Sequence, residues 1–555
     1  MNPAQLVAHF DRISDAPDAI PRLRRFILDL AVRGKLVEQD SRDEPASELL
    51  KRIQAEKERL VKEGEIRKQE ASRPIDVGEA PFDIPPGWCW MRLIGVLNKL
   101  TDGTHHSPTN LADGAYKYIT AKNIKPEGIS LANVSYVTAK VHHEIYARCN
   151  PEKGDVLYIK DGATTGVVTI NDLDEPFSML SSVALLKLSK HVYNRLIVEF
   201  LRSPFFYNQM RGFMKGAAIT RVTLKRMAPA LIPLPPLAEQ HRIVAKVDEL
   251  MALCDRLEAA QAERENRRDR LVASSLHRLN NEVDPDDFRE HARVYFNHLP
   301  RLTTRPEHIQ QLRQTILNLA VRGRLVPQDL NDEPAASMLG EHELIPDATS
   351  EPWELPVGWA WSSLYLIGET LGGGTPSKAD PEFWNGTIPW VSPKDMKVDV
   401  IKDTQDHISK SAVANSSTQL IPTGSLLMVV RGMILAHSFP TAISAVPLTI
   451  NQDMKAIVPF RPDLIQMLLL LTRGLKPEVL RLVLRSTHGT CKLLTADLFG
   501  LPIPIPPLAE QQRIVAKVDE LMALCDRLEA QLTTTHTDSR RLLEALLYEV
   551  LAPSA

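Results

Sequence analysis

Residues 233–259 read PLPPLAEQHRIVAKVDELMALCDRLEA, and residues 504–530 read PIPPLAEQQRIVAKVDELMALCDRLEA. Only Leu234/Ile505 and His241/Gln512 differ between the copies, which lie 271 residues apart. A repeat at so long a period is not a solenoid unit; it divides the chain into two large halves that carry the same rod. In the first rod Ile243, Val247, Leu250, Cys254 and Leu257 are spaced 4, 3, 4 and 3 residues, and Ile514, Val518, Leu521, Cys525 and Leu528 repeat that spacing. This is the a/d pattern of a helix seam, which is expected to pack one rod on the other or on a partner protein. Pro235-Pro236 and Pro506-Pro507 fix an extended entry, and Glu239 and Glu510 stand where a helix N-terminus favours a carboxylate. Continued to roughly Leu279 and Val550, each rod is about 40 residues, or about 60 Å at 1.5 Å per residue.

Two further blocks are duplicated upstream of the rods. RRFILDLAVRGKLVEQDSRDEPAS begins at Arg24 and RQTILNLAVRGRLVPQDLNDEPAA at Arg313, with Gly34 and Gly323 as expected helix caps. Ile84-Pro85-Pro86-Gly87-Trp88-Cys89-Trp90 corresponds to Leu355-Pro356-Val357-Gly358-Trp359-Ala360-Trp361, again 271 residues apart. From this marker to the rod both inserts run 149 residues, yet their sequences diverge widely between the markers. A shared entrance, a shared exit and unlike contents fit one fold that presents two surfaces. The offsets of the blocks, 289 and 271, differ by 18 residues, the measure of a charged helical arm from Leu49 to Gln69 that the second half lacks.

A chain of 555 residues exceeds what one core supports, and no apolar run reaches membrane-spanning length. The start, MNPAQLVAHFDRISD, lacks the order of a secretion signal. Five cysteines, Cys89, Cys149, Cys254, Cys491 and Cys525, never stand at metal-ligand spacing, which fits a reducing cytoplasm. The net charge of −3 hides an asymmetry. Residues 85–235 hold 18 Lys and Arg against 11 Asp and Glu, residues 356–506 hold 13 against 11, and the remainder holds 35 against 47. Basic inserts on an acidic frame suit a polyanion on the inserts and protein partners on the frame.

Inside the inserts, short apolar or alternating runs such as Asp155 to Lys160, Val183 to Leu188 and Ser425 to Val430 are broken by Gly, Pro and Asn. They read as strand-rich α+β domains, followed by helical pieces near Tyr193 to Met214 and Leu464 to Leu484. There is no Walker A loop, since Gly34-Lys35 is followed by Leu; Gly372-Gly373-Gly374 precedes Thr-Pro and is no cofactor loop. His105-His106 and His142-His143 have no completing carboxylate or Cys for a metal. Nothing reads as a catalytic centre, which favours recognition or assembly. A coiled-coil adaptor whose inserts bind protein is the rival, and the basic inserts speak against it.

The PLPPLAEQ entry to a long helix, the ILDLAVRGKLV block and the two divergent inserts together resemble the specificity subunit of type I restriction-modification enzymes. The first insert carries Asp102-Gly103-Thr104-His105-His106-Ser107-Pro108, then Tyr118 to Ile124 (YITAKNI) and Lys160 to Gly166 (KDGATTG). The second carries Gly373 to Ser377 (GGTPS), Phe383 to Trp390 (FWNGTIPW), Lys394-Asp395-Met396 and Arg431-Gly432. The resemblance implies two α+β target recognition domains, residues 84–235 and 354–506, joined by two long antiparallel coiled-coil helices, 236–280 and 507–555, in pseudo-twofold halves. Helical regions at 1–83 and 281–353 complete the chain. It also implies a single non-catalytic copy per complex, in which each domain reads one half of a bipartite duplex DNA target. Two methyltransferase and two restriction subunits would dock on it, and S-adenosylmethionine, ATP and Mg would be held by those partners, none by this chain.

Reading bases takes Arg or Lys on guanine and Asn or Gln on adenine, with Lys, Arg, Ser and Thr on phosphates. The expected contacts are Thr104, His105, His106, Lys122, Asn123, Lys160, Thr164, Thr165 and Arg221 in the first domain. In the second they are Thr375, Ser377, Lys378, Lys394, Arg431, Asn451, Gln452 and Lys492. Arg221 and Lys492 stand 271 apart on the loop before each rod, where a phosphate contact can be shared.

Overall fold

The structure, a computed structural model, describes residues 16, 18–68, 75, 77–211, 221–281, 284–345, 353–485 and 489–551. The helical reading of residues 1–15, the end of the charged arm at Gln69 and the end of the helical piece at Met214 lie outside them. The chain forms two compact units, one of residues up to Arg264 together with those from His536, the other Glu265–Thr535. No helix among the described residues is long and apolar enough to cross a membrane.

In the first unit, α1 (Ala19–Val32) ends at Gly34, whose φ of +64° is the left-handed conformation a helix C-terminal cap requires. A Cβ there would also lie 2.4 Å from Pro85 Cγ, so the repeated helix and the repeated Pro-x-Gly-Trp marker touch at this glycine. The arm is α2 (Ala46–Lys62), and it is not a freely solvated helix. Its face Ala46, Leu49 and Ile53 is buried against Leu93, Val96 and Leu97, while Glu56 accepts from Ser189 Oγ and Lys57 Nζ donates to Ile94 O.

The first domain opens with β1 (Cys89–Arg92), β2 (Leu97–Asp102), β3 (Tyr116–Ile119) and β4 (Ser135–Val137). It continues with β5 (Val156–Ile159), β6 (Val168–Ile170), β7 (Ser178–Met179) and β8 (Val183–Leu188). After α3 (Asn194–Arg202), β9 (Leu231–Leu234) leads into α4 (Leu237–Asn281). β1 pairs antiparallel with β9, Trp90 opposite Pro233, so entrance and exit of the domain are stapled at the foot of the rod. The main sheet runs β2-β8-β5-β6, and a smaller one runs β4-β3-β7 with β3 and β7 parallel. Successive side chains on a strand point to opposite faces. Hence Val156, Tyr158, Ala184 and Leu186 pack on α3, whereas Leu157, Ile159, Val183 and Leu185 pack on Ile119, Phe177 and Met179 of the smaller sheet's side. Burial on both faces is why these strands read as continuous apolar runs.

The second unit repeats the plan with other residues. Its domain comprises β10 (Ala360–Ser362), β11 (Gly368–Gly372), β12 (Ile388–Val391), β13 (Val400–Ile401) and β14 (Asp406–Ile408). β15 (Leu426–Val429), β16 (Thr441–Ser444), β17 (Thr449–Ile450), β18 (Met454–Pro459) and β19 (Ile503–Ile505) follow. The main sheet is β11-β18-β15-β16-β13, the smaller one β14-β12-β17, and β10 staples to β19 with Trp361 opposite Pro504. Its helices include α4's last part, α5 (Pro306–Val321), α6 (Ile465–Gly474) and α7 (Leu508–Leu551), whose residues from His536 belong to the first unit. Gly474 lets α6 lie on α5, because a Cβ there would meet Val321 Cγ2 at 2.2 Å.

The seam residues find a partner that the repeat pattern does not specify. Ile243, Val247 and Cys254 are buried, with Leu250 and Leu257 beside them, against Ile20, Ile27, Leu28 and Ala31 of α1 and Leu196 and Phe200 of α3. Ile514, Val518 and Cys525, with Leu521 and Leu528, pack on Ile309, Leu312 and Ile316 of α5 in a cluster that also holds Val272, Leu276 and Leu279 of α4. The expected cover was the other rod or a partner protein; the structure sets the short helices α1 and α5 against the two stripes, and the second cluster holds residues of both rods. Ion pairs fix the same register twice, Arg24 to Asp255 and Glu258 at 2.6 and 2.7 Å, Arg313 to Asp526 and Glu529 at 2.8 Å each.

Candidate nucleic-acid interface

In each domain three segments meet where the main sheet borders the smaller one. In the first, Thr104 N donates to Met179 O at 2.9 Å, Ser181 N to Thr104 O at 2.8 Å and Leu180 N to Ile119 O at 3.0 Å. In the second, Gly374 N donates to Ile450 O and Asn451 N to Val391 O, both at 2.9 Å. The glycines make the crossing possible: a Cβ on Gly103 would stand 1.9 Å from Met179 O, and one on Gly373 would stand 1.8 Å from Asn451 O. The Gly-Thr motifs of the two inserts are thus required by close backbone approach, and the loops that leave them carry the exposed side chains.

A second pair of segments meets at the end of the central strand. Val222 N donates to Lys160 O at 2.8 Å and Asp161 bridges to Arg221; Leu493 N donates to Val430 O at 2.9 Å and Arg431 bridges to Lys492. This places Asp161 and Arg431 in the same position of the fold, followed by Gly162 at φ +105° and Gly432 at φ +133°. One domain presents a carboxylate where the other presents a guanidinium.

The two ends are tied together by charge in the first domain. Buried Asp102 stands 3.0 Å from Arg148 Nη2, 3.4 Å from His105 Nε2 and 3.4 Å from Lys160 Nζ, and Lys160 also meets Asp161 at 2.9 Å. Asp161 pairs with Arg221 at 3.2 Å. Lys160, expected to reach DNA, is corrected here: its side chain is 2% exposed and held between two carboxylates, because an unpaired buried ammonium is far costlier than a paired one. Asn123 is likewise structural; its carboxamide accepts from Thr120 N and donates to Ser130 O, closing the turn that holds Lys122 outward. Thr165 spends its hydroxyl on Gly162 O at 2.7 Å, and Thr104 spends its own on His106 O at 3.0 Å. His105, His106, Lys122, Thr164 and Arg221 are exposed.

In the second domain Asn451 is the residue to correct: it is 6% exposed and its Oδ1 accepts from Asp453 N, forming a turn. Gln452 is exposed and accepts from the Thr375 hydroxyl. Ser377 and Lys378 are exposed on the next loop, pinned by Trp384 Nε1 donating to Ser377 O at 3.1 Å. Lys394 occupies the place of Lys122 in a Ser392-to-Asp395 turn and pairs with Asp406 at 2.8 Å, a contact that holds its pKa above the ordinary lysine value. Arg431 is 56% exposed and stands 3.9 Å from Asp453, and Lys492 is exposed beside it. Thr375, Gln452, Arg431 and Lys492 therefore converge, while Ser377, Lys378 and Lys394 lie on neighbouring loops.

Arg148 was not singled out by the sequence, and Asp102 entered only as the first residue of a quoted motif, not as an expected contact. Arg148 also donates to Asp102 O at 2.8 Å and to Gly103 O, so it holds the Gly-Thr loop in place. Its partners are 45 and 46 residues away, and no local pattern marks such a pair. His142 of the second histidine pair is buried, stacks on Tyr116 at 3.9 Å and meets Ser178 Oγ at 3.0 Å; burial lowers its pKa.

Comparison with known proteins bears on this arrangement. The model of the type I restriction modification DNA specificity domain matches residues 85–265 and again 356–535. The type I restriction enzyme EcoAI specificity subunit of Escherichia coli is 29% identical over 577 residues, which cover 95% of this chain and 93% of that protein. The EcoEI specificity subunit, also of Escherichia coli, is 28% identical over 95% of this chain and 93% of its own length. One solved structure, described as the structural basis underlying complex assembly and conformational transition of the type I R-M system, shares the fold with a TM-score of 0.51. It is 21% identical and covers 86% of this chain and 100% of its own.

Proposed function

This chain belongs to the type I restriction modification DNA specificity family, and from that premise we propose that it is the non-catalytic sequence-specificity subunit of a type I restriction-modification complex. Each recognition domain reads one half of a bipartite duplex target, and the long helices set the spacing between the halves. B-DNA carries one charge per about 1.7 Å of axis, so a fixed length of helix corresponds to a fixed count of base pairs. The observation that carries this reading is the pairing of one fold with two surfaces: Asp161 and Arg431 share a position but not a charge. Two identical surfaces would read a symmetric site; unlike surfaces read two different half-sites.

A single copy acts with two methyltransferase subunits and, for cleavage, two restriction subunits, in the cytoplasm. S-adenosylmethionine, ATP and Mg belong to those partners, and the holoenzyme is an adenine methyltransferase and restriction endonuclease. The acidic frame, with 35 basic and 47 acidic residues outside the domains, supports its assignment to protein contacts. The test is to purify the chain with its partner subunits and map methylated adenines. A split motif of two unlike halves is expected; absence of DNA binding would favour a protein adaptor instead.

A further inference from the structure

We propose that the exposed turn Met433–Ile434 is an apolar base reader of the second domain, set beside Arg431 and Lys492 and aimed at a thymine methyl group in the half-target this domain recognises. The inference rests on the DNA-reading function above and narrows it to one subsite.

Met433 is 62% exposed and Ile434 36% exposed, and both follow directly on Arg431-Gly432. The turn Met433–Ala436 is rigid at its base: Leu435 is buried, Leu435 N donates to Gly432 O at 3.2 Å and Gly432 N to Cys491 O at 2.9 Å. Leu484 and Leu494, 45% and 41% exposed, belong to or follow the paired segments Leu484–Arg485 and Cys491–Lys492 that join this turn. Single exposed apolar residues need no explanation, but a fixed apolar tip ringed by exposed Arg431, Arg485 and Lys492 does. Asp453, 3.9 Å from Arg431, is the carboxylate on the tip's flank. Cations satisfy phosphates or guanine edges, and the group on a base edge that an apolar side chain meets favourably is the thymine C5-methyl.

The first domain lacks this feature at the matching position. There Gly162 is followed by Ala163 and Thr164, and the preceding residue is Asp161 rather than Arg431. The tip is therefore a difference between the two readers, as a residue that sets one half-site must be.

The experiment uses the full chain assembled with its methyltransferase partners, and maps methylated adenines for the parent, for Met433→Ala/Ile434→Thr, which copies the first domain, and for Met433→Leu. The parent is expected to require a thymine in one half of its split target. Replacing that thymine by uracil, which removes only the methyl, should weaken parent binding roughly four-fold, the worth of one buried methyl-sized group. The double variant should accept other bases there and ignore the uracil, Met433→Leu should keep the preference, and the other half-target should be read unchanged by all. The proposal is overturned if the double variant keeps the parent's full motif, if uracil has no effect on the parent, if the half lacks thymine, or if the double variant fails to assemble. A parent that methylates no split target would instead sink the underlying function.

Discussion

Trp88 Nε1 donates to Glu239 Oε2 at 2.8 Å, joining the entrance of the first recognition domain to the first turn of the long helix. Gln39 Nε2 donates to the other oxygen of the same carboxylate at 2.7 Å, so three repeated segments meet on one buried side chain. Trp359, Glu510 and Gln328 do the same in the second unit at 2.9 and 2.6 Å. Burial pushes both carboxyls above the ordinary glutamate pKa, opposed by these donors.

Removing one donor leaves a buried carboxylate oxygen unpaired. Trp88→Phe should cost about 1–3 kcal/mol of stability, and Trp359→Phe should cost a similar amount because its partners match. Chemical unfolding of each variant against the parent measures both; a loss confined to one of them would mean the joints are not equivalent.

Gly34 combines a positive φ with a Cβ position 2.4 Å from Pro85, whereas Gly64 has φ +75° and no atom of the described residues within 4 Å of its Cβ position. Gly34→Ala should therefore destabilise by more than the about 1 kcal/mol expected from backbone strain alone at Gly64→Ala. Thermal midpoints of the two variants decide it, and equal shifts would remove the role given to the Pro85 contact.

Lys160 and Arg431 should separate stability from binding. Lys160→Met removes the buried cation between Asp102 and Asp161, which keep the more exposed Arg148 and Arg221, and should lower stability by about 1–3 kcal/mol. Arg431→Ala should leave the melting curve within about 0.5 kcal/mol of the parent and weaken cognate DNA binding more than the control Lys51→Ala, whose side chain is more exposed. Melting curves and titrations with the mapped target read both quantities.

Burial raises the Asp29 carboxyl to about 6, against the opposing charges of Arg33 and Arg25. A carboxyl with a raised folded-state pKa adds stability that is complete below the ordinary value of about 4 and is lost as pH climbs through about 6. Asp29→Asn should remove that loss, so its melting temperature should gain on the parent by a few degrees between pH 4 and 7 and hold level above. Calorimetry across that range tests it; a pH-independent difference would exclude the assignment.

Val247→Asp and Val518→Asp each place a carboxylate in a cluster now buried against a short helix. Each should disrupt its own unit, and limited proteolysis should cut near α1 in the first variant and near α5 in the second. Loss of partner assembly with both clusters intact would return the seam to an intermolecular role.

The sequence alone determined the two long helices, the duplicated halves, the glycine caps and the presence of two α+β inserts of one length. These are written in local spacing: a 4-3-4-3 stripe, a cap glycine and a Pro-x-Gly-Trp marker act within a few turns of chain, and copying them copies their geometry. Only the tertiary structure decided what fills the seam, because an apolar stripe specifies that it will be covered and not by which helix. It alone separated Lys160, sealed by Asp102 from 58 residues away, from Arg431, left facing solvent. It also put Asp161 and Arg431 in one position across unlike sequences. Charge burial and close backbone approach depend on residues distant in the chain, and a residue's type and neighbours carry no record of them.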